Sequence, residues 1–356
     1  MLYARHRSLA SFLLLAAAAA AQEPSPSGGT AEKPYTLRVY ANRMQVAALV
    51  LDADGENLRG VTADKFRLSM DSGPAFHPSR VRVEEDDPIN LSILLDGTVD
   101  RDLLNAAVAQ LPRLAATDLH PSDRISIYAV DCNLVGSANQ APASAELMTK
   151  ALASALNYPS LRRPNGHHCG STVKLWDAAA VAVARMQNAP GRRVLLLISQ
   201  GEDGGSTSTP GTLSNAAISS GIAVFAIRNV PTFYASPQLR ASLASGLRGD
   251  PGSADTNRIT SVNGGLTFTI DANSMRLTLQ HFARLLRTRY ILEFPTPDDG
   301  TPGYHGLDIQ VAKANEVLST GVGWTQMEPS LKSAPDVVQS SPSTTVIGNK
   351  RPQQPK

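Results

Sequence analysis

The stretch Asn90-Leu-Ser-Ile-Leu-Leu-Asp96-Gly-Thr-Val-Asp100 carries the strongest fold signal in this chain. Residues 91–95 are apolar apart from one serine, which is typical of a short strand buried on both faces. The oxygen-bearing side chains of Asp96, Thr98 and Asp100 follow at alternate positions. In open α/β sheets, ligands bind beyond the carboxyl ends of the strands. The stretch therefore predicts an α/β fold with a polar site at the end of this strand.

The chain beyond this stretch alternates between helical and strand periodicity. Apolar positions in 104–114 recur at helical spacing, and 125–130, 194–198, 222–227 and 267–270 have the composition of strands. Further helices are predicted at 143–156, 173–186, 213–220 and 275–286, whereas 231–263 is rich in Gly and Ser and is interpreted as a loop. Strands that alternate with helices indicate right-handed crossovers and a doubly wound, mostly parallel sheet.

Strand patterns without helices flank this α/β segment on both sides. Residues 35–87 alternate in the manner of β-strands, and residues 289–326 return to the same pattern. Each set has too few strands to close its own core, so we expect the two sets to form one small β-sandwich domain. The acidic run 84–87 at the end of the first set is interpreted as a solvated loop.

The first residues have the pattern of a targeting segment. Arg5 and Arg7 precede an apolar run at 9–20, which is shorter than the roughly 20 residues of a membrane span, and Ala19-Ala-Ala21 fits a cleavage site. We expect an exported protein, periplasmic or extracellular, with no transmembrane segment in the mature chain. The predicted organisation is a signal peptide (1–21), a disordered linker (22–34), N-terminal β strands (35–87), an α/β domain (88–288), C-terminal β strands (289–326) and a disordered tail (327–356).

Composition and missing motifs exclude several classes of function. The chain of 356 residues carries 33 Lys and Arg against 31 Asp and Glu, which argues against nucleic acid as a partner. With two cysteines it is neither a disulfide-dense miniprotein nor a four-cysteine zinc protein. It has no nucleophile elbow, Walker A loop, dinucleotide fingerprint or His-Glu-x-x-His motif. We therefore expect a protein that is not an enzyme, and no residue is assigned a catalytic role.

Several motifs, in their order along the chain, resemble the von Willebrand factor A family. The stretch 90–100 is similar to that family's first strand and metal loop, 170–178 to its second loop and 194–203 to its third. Val61-Thr-Ala-Asp-Lys-Phe66, Gly264-Gly265 and Leu286-Arg-Thr-Arg-Tyr290 also resemble the von Willebrand A-related proteins common in acidobacteria. The resemblance covers roughly residues 35–324 and implies an exported protein with a metal-dependent adhesion-type site.

The resemblance implies a degenerate version of that metal site. Asp96, Thr98, Asp100 and Thr172 match its ligand positions and would hold Mg²⁺ or Ca²⁺, hard cations that prefer oxygen. Asp100 is a carboxylate where the family has a hydroxyl, and the neutral Gln200 stands where the family has an aspartate. The acidic residues 202 and 203 are close enough in sequence to replace that charge. The alternative is a vestigial loop whose polar groups cap helices and satisfy backbone groups.

Two functions are compatible with this sequence. The first is a non-enzymatic binding or adhesion module that contacts a protein partner through the top face of its sheet, with weak or lost metal dependence. The second is a structural or scaffolding protein of the cell envelope whose metal loop is inert. The degenerate site is the feature that discriminates between the two functions.

We predict a disulfide between Cys132 and Cys169. An even pair of cysteines in an exported protein forms a bridge by default, and both residues are expected at the same end of the sheet. Thiol labelling of the unfolded, unreduced protein should therefore detect no reactive thiol. Two labelled thiols per chain would show that the bridge is absent.

Overall fold

The computed structural model describes residues 43–85, 87–131, 133–157, 173–229, 251–295 and 303–324. The predicted signal peptide, linker and tail lie outside these described residues, as do Cys132, Cys169 and Thr172. Within the described ranges, no helix combines the length and apolar character needed to cross a membrane.

Strands form the beginning and the end of the described chain, and strands alternate with helices in the middle. The first strands are β1 (Arg43–Leu51), β2 (Phe66–Met70) and β3 (Arg80–Val83). The middle contains β4 (Ile89–Asp96), α1 (Arg101–Thr117), β5 (Arg124–Val130), β6 (Leu134–Pro142), α2 (Ala145–Leu156), α3 (Leu175–Met186), β7 (Arg192–Ile198), α4 (Pro210–Ser219), β8 (Ile222–Asn229), α5 (Pro251–Val262), β9 (Thr267–Ile270) and α6 (Met275–Arg287). The last strands are β10 (Tyr290–Pro295), β11 (Gly303–His305), β12 (Leu307–Val311), β13 (Glu316–Ser319) and β14 (Val322–Trp324).

A six-stranded sheet forms the centre of the α/β part, in the order β6-β5-β4-β7-β8-β9. All neighbours in it run parallel except the β5–β6 pair, which is antiparallel. Strand β4 lies inside this sheet, and all eight of its residues are buried. The structure therefore confirms the predicted α/β class and the mostly parallel sheet.

Helices cover both faces of the six-stranded sheet. On one face, alternate strand residues such as Leu91 and Ile93 pack with apolar residues of α1, α2 and α6. On the other face, Leu94, Leu195 and their counterparts pack with α3, α4 and α5. This alternation explains the continuous apolar runs in the sequence, because a strand that is covered on both sides needs apolar residues at every position.

Strands from the two ends of the described chain pair with each other. A four-stranded antiparallel sheet has the order β13-β1-β10-β3, and β2 pairs with β12. Val46, Val50, Phe66, Tyr290 and Leu292 belong to one apolar cluster that β1, β2, β10 and β12 share. Neither set of strands therefore buries its apolar face without the other.

Strand β1 also connects this apolar cluster to the larger core. Val46, Ala48 and Val50 face the cluster, whereas Leu49 and Leu51 join the core that surrounds α1, α2 and α6. Both faces of β1 are thus buried, and the outer strands pack directly against the α/β part.

Three sequence-based assignments are wrong or incomplete. Strand β6 was not predicted, since it is an edge strand with many half-exposed residues and an irregular register against β5. Helix α5 occupies part of the predicted loop 231–263. Its sequence is rich in Ser, Thr and Gly, so the helical pattern is weak, although Ile259 is buried in the core. Residues 317–324, whose pattern predicts one final strand, instead form two strands, β13 and β14.

The acidic run 84–87 is only partly the solvated loop that was expected. Glu84 is 2% exposed, and its carboxylate accepts hydrogen bonds from Arg192 Nη1 at 3.1 Å and Arg289 Nε at 2.9 Å. Glu85, the next residue, is exposed. The sequence does not reveal this difference because both arginines are distant along the chain.

We predict that Glu84→Gln lowers the free energy of unfolding by about 3–5 kcal/mol, since removing one partner of a buried ion pair leaves uncompensated buried charge. Chemical denaturation would measure the change. The matched control is Glu85→Gln, an exposed change of the same chemistry that should stay within about 0.5 kcal/mol of the parent. Equal effects of the two substitutions would contradict a special role for Glu84.

Candidate functional site

The candidate site lies where the parallel strands of the central sheet end. Asp96 is the last residue of β4, whose neighbours β5 and β7 run in the same direction. The carboxyl ends of β5 and β7 therefore lie on either side of Asp96. Its side chain is buried, with the residue 1% exposed. A buried carboxylate at this edge requires partners that compensate for lost hydration.

Hydroxyl and backbone donors surround the Asp96 carboxylate. Its Oδ1 accepts hydrogen bonds from the Thr98 backbone N at 2.9 Å and from Thr98 Oγ1 at 2.6 Å. Its Oδ2 accepts from Ser199 Oγ at 2.6 Å, and this hydroxyl accepts in turn from Gly201 N at 3.0 Å. The carboxylate thus joins the turn after β4 to the turn after β7.

The electrostatics of the site disfavour an isolated negative charge. Burial raises the pKa of Asp96, while the hydrogen bonds from Ser199 and Thr98 oppose that shift. The charge of Asp131 raises the pKa further. Asp131 is 3% exposed and follows β5 directly, so two buried carboxyl groups lie at neighbouring strand ends. A proton or a cation near Asp96 would relieve this repulsion.

Asp100 lies at the other end of the same turn and serves helix α1. It is the N-cap residue, and its Oδ1 accepts from the backbone N of Asp102 at 2.9 Å and of Leu103 at 3.2 Å. A carboxylate at this position satisfies unpaired N–H groups and interacts favourably with the helix dipole. Both hydrogen bonds use the same oxygen, so Oδ2 has no partner among the hydrogen bonds of the described residues.

Gln200, the residue after Ser199 in the sequence, carries a buried polar oxygen. Its Oε1 is buried and has no hydrogen-bond partner among the described residues. An unsatisfied buried acceptor costs about 1–3 kcal/mol, and a water or a cation beside it would reduce that cost. This atom is the feature of the described site that most favours a further ligand.

The two acidic residues of the loop after β7 do not replace the charge that the neutral Gln200 lacks. Asp203 Oδ1 accepts from Trp176 N at 3.2 Å and from Ser206 Oγ at 2.5 Å, so its carboxylate lies at the start of α3. The Asp203 carboxylate therefore serves the start of α3, and it also accepts from Ser206 N at 3.0 Å. Glu202 is exposed. Their sequence proximity to Gln200 therefore does not make them partners of Asp96.

The polar oxygen atoms at this edge are of the type that hard cations prefer. They comprise the Asp96 carboxylate, the hydroxyls of Thr98 and Ser199, and the amide oxygen of Gln200, all of which are oxygen ligands. Among the described residues, no group of three or more His, Cys, Asp or Glu side chains is placed to hold a metal. Thr172, the remaining candidate ligand, is outside the described ranges, as are both cysteines.

Ser199 and Asp131 are the two members of the site that the sequence analysis did not identify. Both come directly after strands that run parallel to β4, at the level of Asp96. The signal that could have found them is positional, because polar residues that follow adjacent parallel strands converge at one edge of the sheet.

Comparisons with known proteins do not assign the chain to a family. No protein-family model matches it. No curated protein matches its sequence. It is similar to solved structures of BatB from Bacteroides thetaiotaomicron (15% identity, 56% of this chain and 100% of that chain, TM-score 0.37) and of the vWF domain of the type V pili tip protein Mfa5 from Porphyromonas gingivalis (9%, 56% and 95%, 0.40). It is also similar to proximal thread matrix protein 1 from the mussel byssus (10%, 61% and 49%, 0.43). With TM-scores below 0.5, the functional argument rests on the chain's own geometry.

We predict that the titration of Asp96 lowers the free energy of unfolding as the pH rises through the acid range. Its pKa is raised on folding, so the native state binds the proton more tightly between the unfolded pKa near 3.8 and the higher folded pKa. Asp96→Asn should remove this component, and its stability relative to the parent should be greater at pH 7 than at pH 4. Chemical denaturation of both proteins at several pH values would measure the difference.

Ser199→Ala tests the same account, because it should enlarge the pH dependence of stability that Asp96→Asn removes. Because the Ser199 hydrogen bond lowers the pKa of Asp96, its loss should raise that pKa and extend the pH-dependent window upward. A stability difference between Asp96→Asn and the parent that did not change with pH would contradict this account.

Proposed function

We propose that this chain is an exported, non-enzymatic binding module of the von Willebrand factor A type, most similar to the acidobacterial relatives. It contacts a protein partner at the sheet edge around Asp96. The observation that carries this proposal is the buried Asp96 carboxylate, which Thr98 and Ser199 hold at the meeting point of three parallel strands. In α/β sheets of this kind, that edge is where ligands bind.

Weak binding of Mg²⁺ or Ca²⁺ forms part of the proposal. Asp96 and Thr98 would hold the cation, with Thr172 and the unused oxygen of Asp100 as the further ligands that the sequence resemblance implies. The cation would supply positive charge that compensates the two buried carboxyl groups and attracts an acidic group of the partner. Two features make the proposed binding weak: Gln200 adds no charge, and one oxygen of Asp100 already caps α1.

A structural or scaffolding protein with an inert loop is the second candidate function. The hydrogen bonds of Asp100 and Asp203 favour it, since both carboxylates serve helix starts. In that case the sheet edge around Asp96 would be packed and inert. The protein would then contact its partners through other parts of its surface.

The proposed organisation of the chain into segments follows from its sequence. We propose export to the periplasm or the cell exterior after removal of residues 1–21, a disulfide between Cys132 and Cys169, and a small β-sandwich domain from 35–87 and 289–326. The apolar cluster that β1, β2, β10 and β12 share supports the sandwich. The joint burial of Leu49 and Leu318 with the larger core indicates that this domain and the α/β part unfold together.

Calcium or magnesium at millimolar concentration is expected to raise the melting temperature of the metal-stripped protein, because a ligand that binds only the native state stabilises it. Asp96→Ala should abolish the rise. Gln200→Asp should increase it, since the substitution adds a carboxylate beside Ser199. Calorimetric titration and thermal unfolding would measure both effects.

The control for this test is Glu202→Gln, which removes an exposed charge from the same loop as Gln200. It should leave the metal response unchanged. If calcium, magnesium and manganese produced neither heat nor a melting shift in the parent protein, the adhesion-type function would lose its support and the scaffolding function would be favoured.

A further inference from the structure

A cleft of about 410 Å³ lies at the end of the central sheet opposite to Asp96. His120 lines it and precedes β5, so the cleft is at the amino ends of the parallel strands. Its other walls include Arg59, Val83, Glu85, Arg287 and Tyr290. Binding pockets for small molecules typically enclose about 300–1,000 Å³, so this cleft has the size of a ligand site.

Hydrogen bonds hold the wall of the cleft that carries Arg59. The hydroxyl of Tyr290 donates to Leu58 O at 2.7 Å and accepts from Val61 N at 3.2 Å. Asn57 Nδ2 donates to Thr288 O at the end of helix α6. Residues on both sides of Arg59 are therefore tied to the C-terminal part of the chain. A wall that is fixed before binding reduces the entropy cost of binding a ligand.

The guanidinium of Arg287, the other arginine of the cleft, is held in place by two contacts. Arg287 Nη2 forms an ion pair with the buried Asp123, and Nη1 donates to Asp87 O at 3.3 Å. Asp123 is not among the residues that line the cleft. The ion pair therefore orients the guanidinium without placing a carboxylate in the opening.

Two arginines bring guanidinium groups to the lining of this cleft, against the carboxylate of Glu85 among the described lining residues. Because Asp123 compensates the charge of Arg287, the unpaired positive charge of the lining comes from Arg59. Arg59 is exposed and forms no ion pair with any other described residue, so its donors are available to a ligand. The half-buried side chain of Val83 adds an apolar contact.

We propose that this cleft binds a small anionic ligand through its carboxylate or phosphate group. Arg59 would pair with the anion, because its planar guanidinium fork matches the oxygen geometry of both groups. Arg287, which Asp123 and Asp87 hold in place, would add a remaining N–H donor. The apolar part of the ligand would lie against Val83. This site is separate from the proposed partner-binding edge at Asp96 and does not depend on a metal.

The test titrates the full-length protein, without added metal, with inorganic phosphate and, separately, with succinate as a dicarboxylate. We expect saturable binding of at least one probe, and the better probe identifies the anion class. Arg59→Gln should weaken that binding about tenfold or more, as expected for a lost charge-assisted hydrogen bond. Glu85→Gln should strengthen binding, because it removes the opposing carboxylate.

The matched control is Arg67→Gln, which removes an exposed positive charge from β2, outside the residues that line the cleft. It should leave the affinity unchanged, and the absence of added metal separates this result from the metal test. Absence of saturable binding by both probes at tens of millimolar would overturn the proposal. Binding that Arg59→Gln and Arg67→Gln weaken equally would also overturn it, since that result indicates a general charge effect.

Discussion

The buried ion pairs of Glu84 fix the relative positions of the two main sheets. Glu84 follows β3, Arg192 begins β7 of the central sheet, and Arg289 directly precedes β10. Burial lowers the pKa of the Arg192 guanidinium, and the charge of Glu84 opposes that shift. Buried ion pairs add little stability against apolar replacements, but losing one partner is costly. The ion pairs of Glu84 with Arg192 and Arg289 therefore determine how the strands assemble. Their contribution to stability is smaller.

The position of Arg192 has consequences at the other end of β7. Arg192 N donates to Pro88 O at 2.8 Å, and a Cβ at the preceding Gly191 would lie 2.4 Å from the same oxygen. This close approach sets the register between β4 and β7, because a one-residue slip would turn every side chain to the wrong face. With that register fixed, Ser199 Oγ reaches Asp96 Oδ2 where the two strands end. The candidate site is thus a consequence of contacts made roughly 20 Å away, at about 3.3 Å per strand residue.

The sequence predicts what depends on local pattern and misses what depends on distant partners. Buried strands such as β4 and β7 were predicted because both of their faces are apolar. Strand β6 was missed because an edge strand that is half exposed lacks that pattern, and Gln140 interrupts it with a φ of 46°. Asp96 and Thr98 were correctly placed in one turn after β4, whereas the hydrogen bond from Ser199 requires knowledge of which strands are neighbours. The burial of Glu84 has the same origin, since its two arginines are brought to it only by tertiary structure.

The neutral side chain of Gln200 suits the electrostatics of the proposed site. Asp96 and Asp131 already place two carboxyl groups in a buried environment, and burial with mutual repulsion raises the pKa of Asp96. An aspartate at position 200 would add a third negative charge, which the loop could tolerate only with a cation bound. With glutamine there, the hydroxyls of Thr98 and Ser199 suffice to hold the turn together. A neutral side chain at this position therefore limits the charge repulsion at the strand ends to that between Asp96 and Asp131.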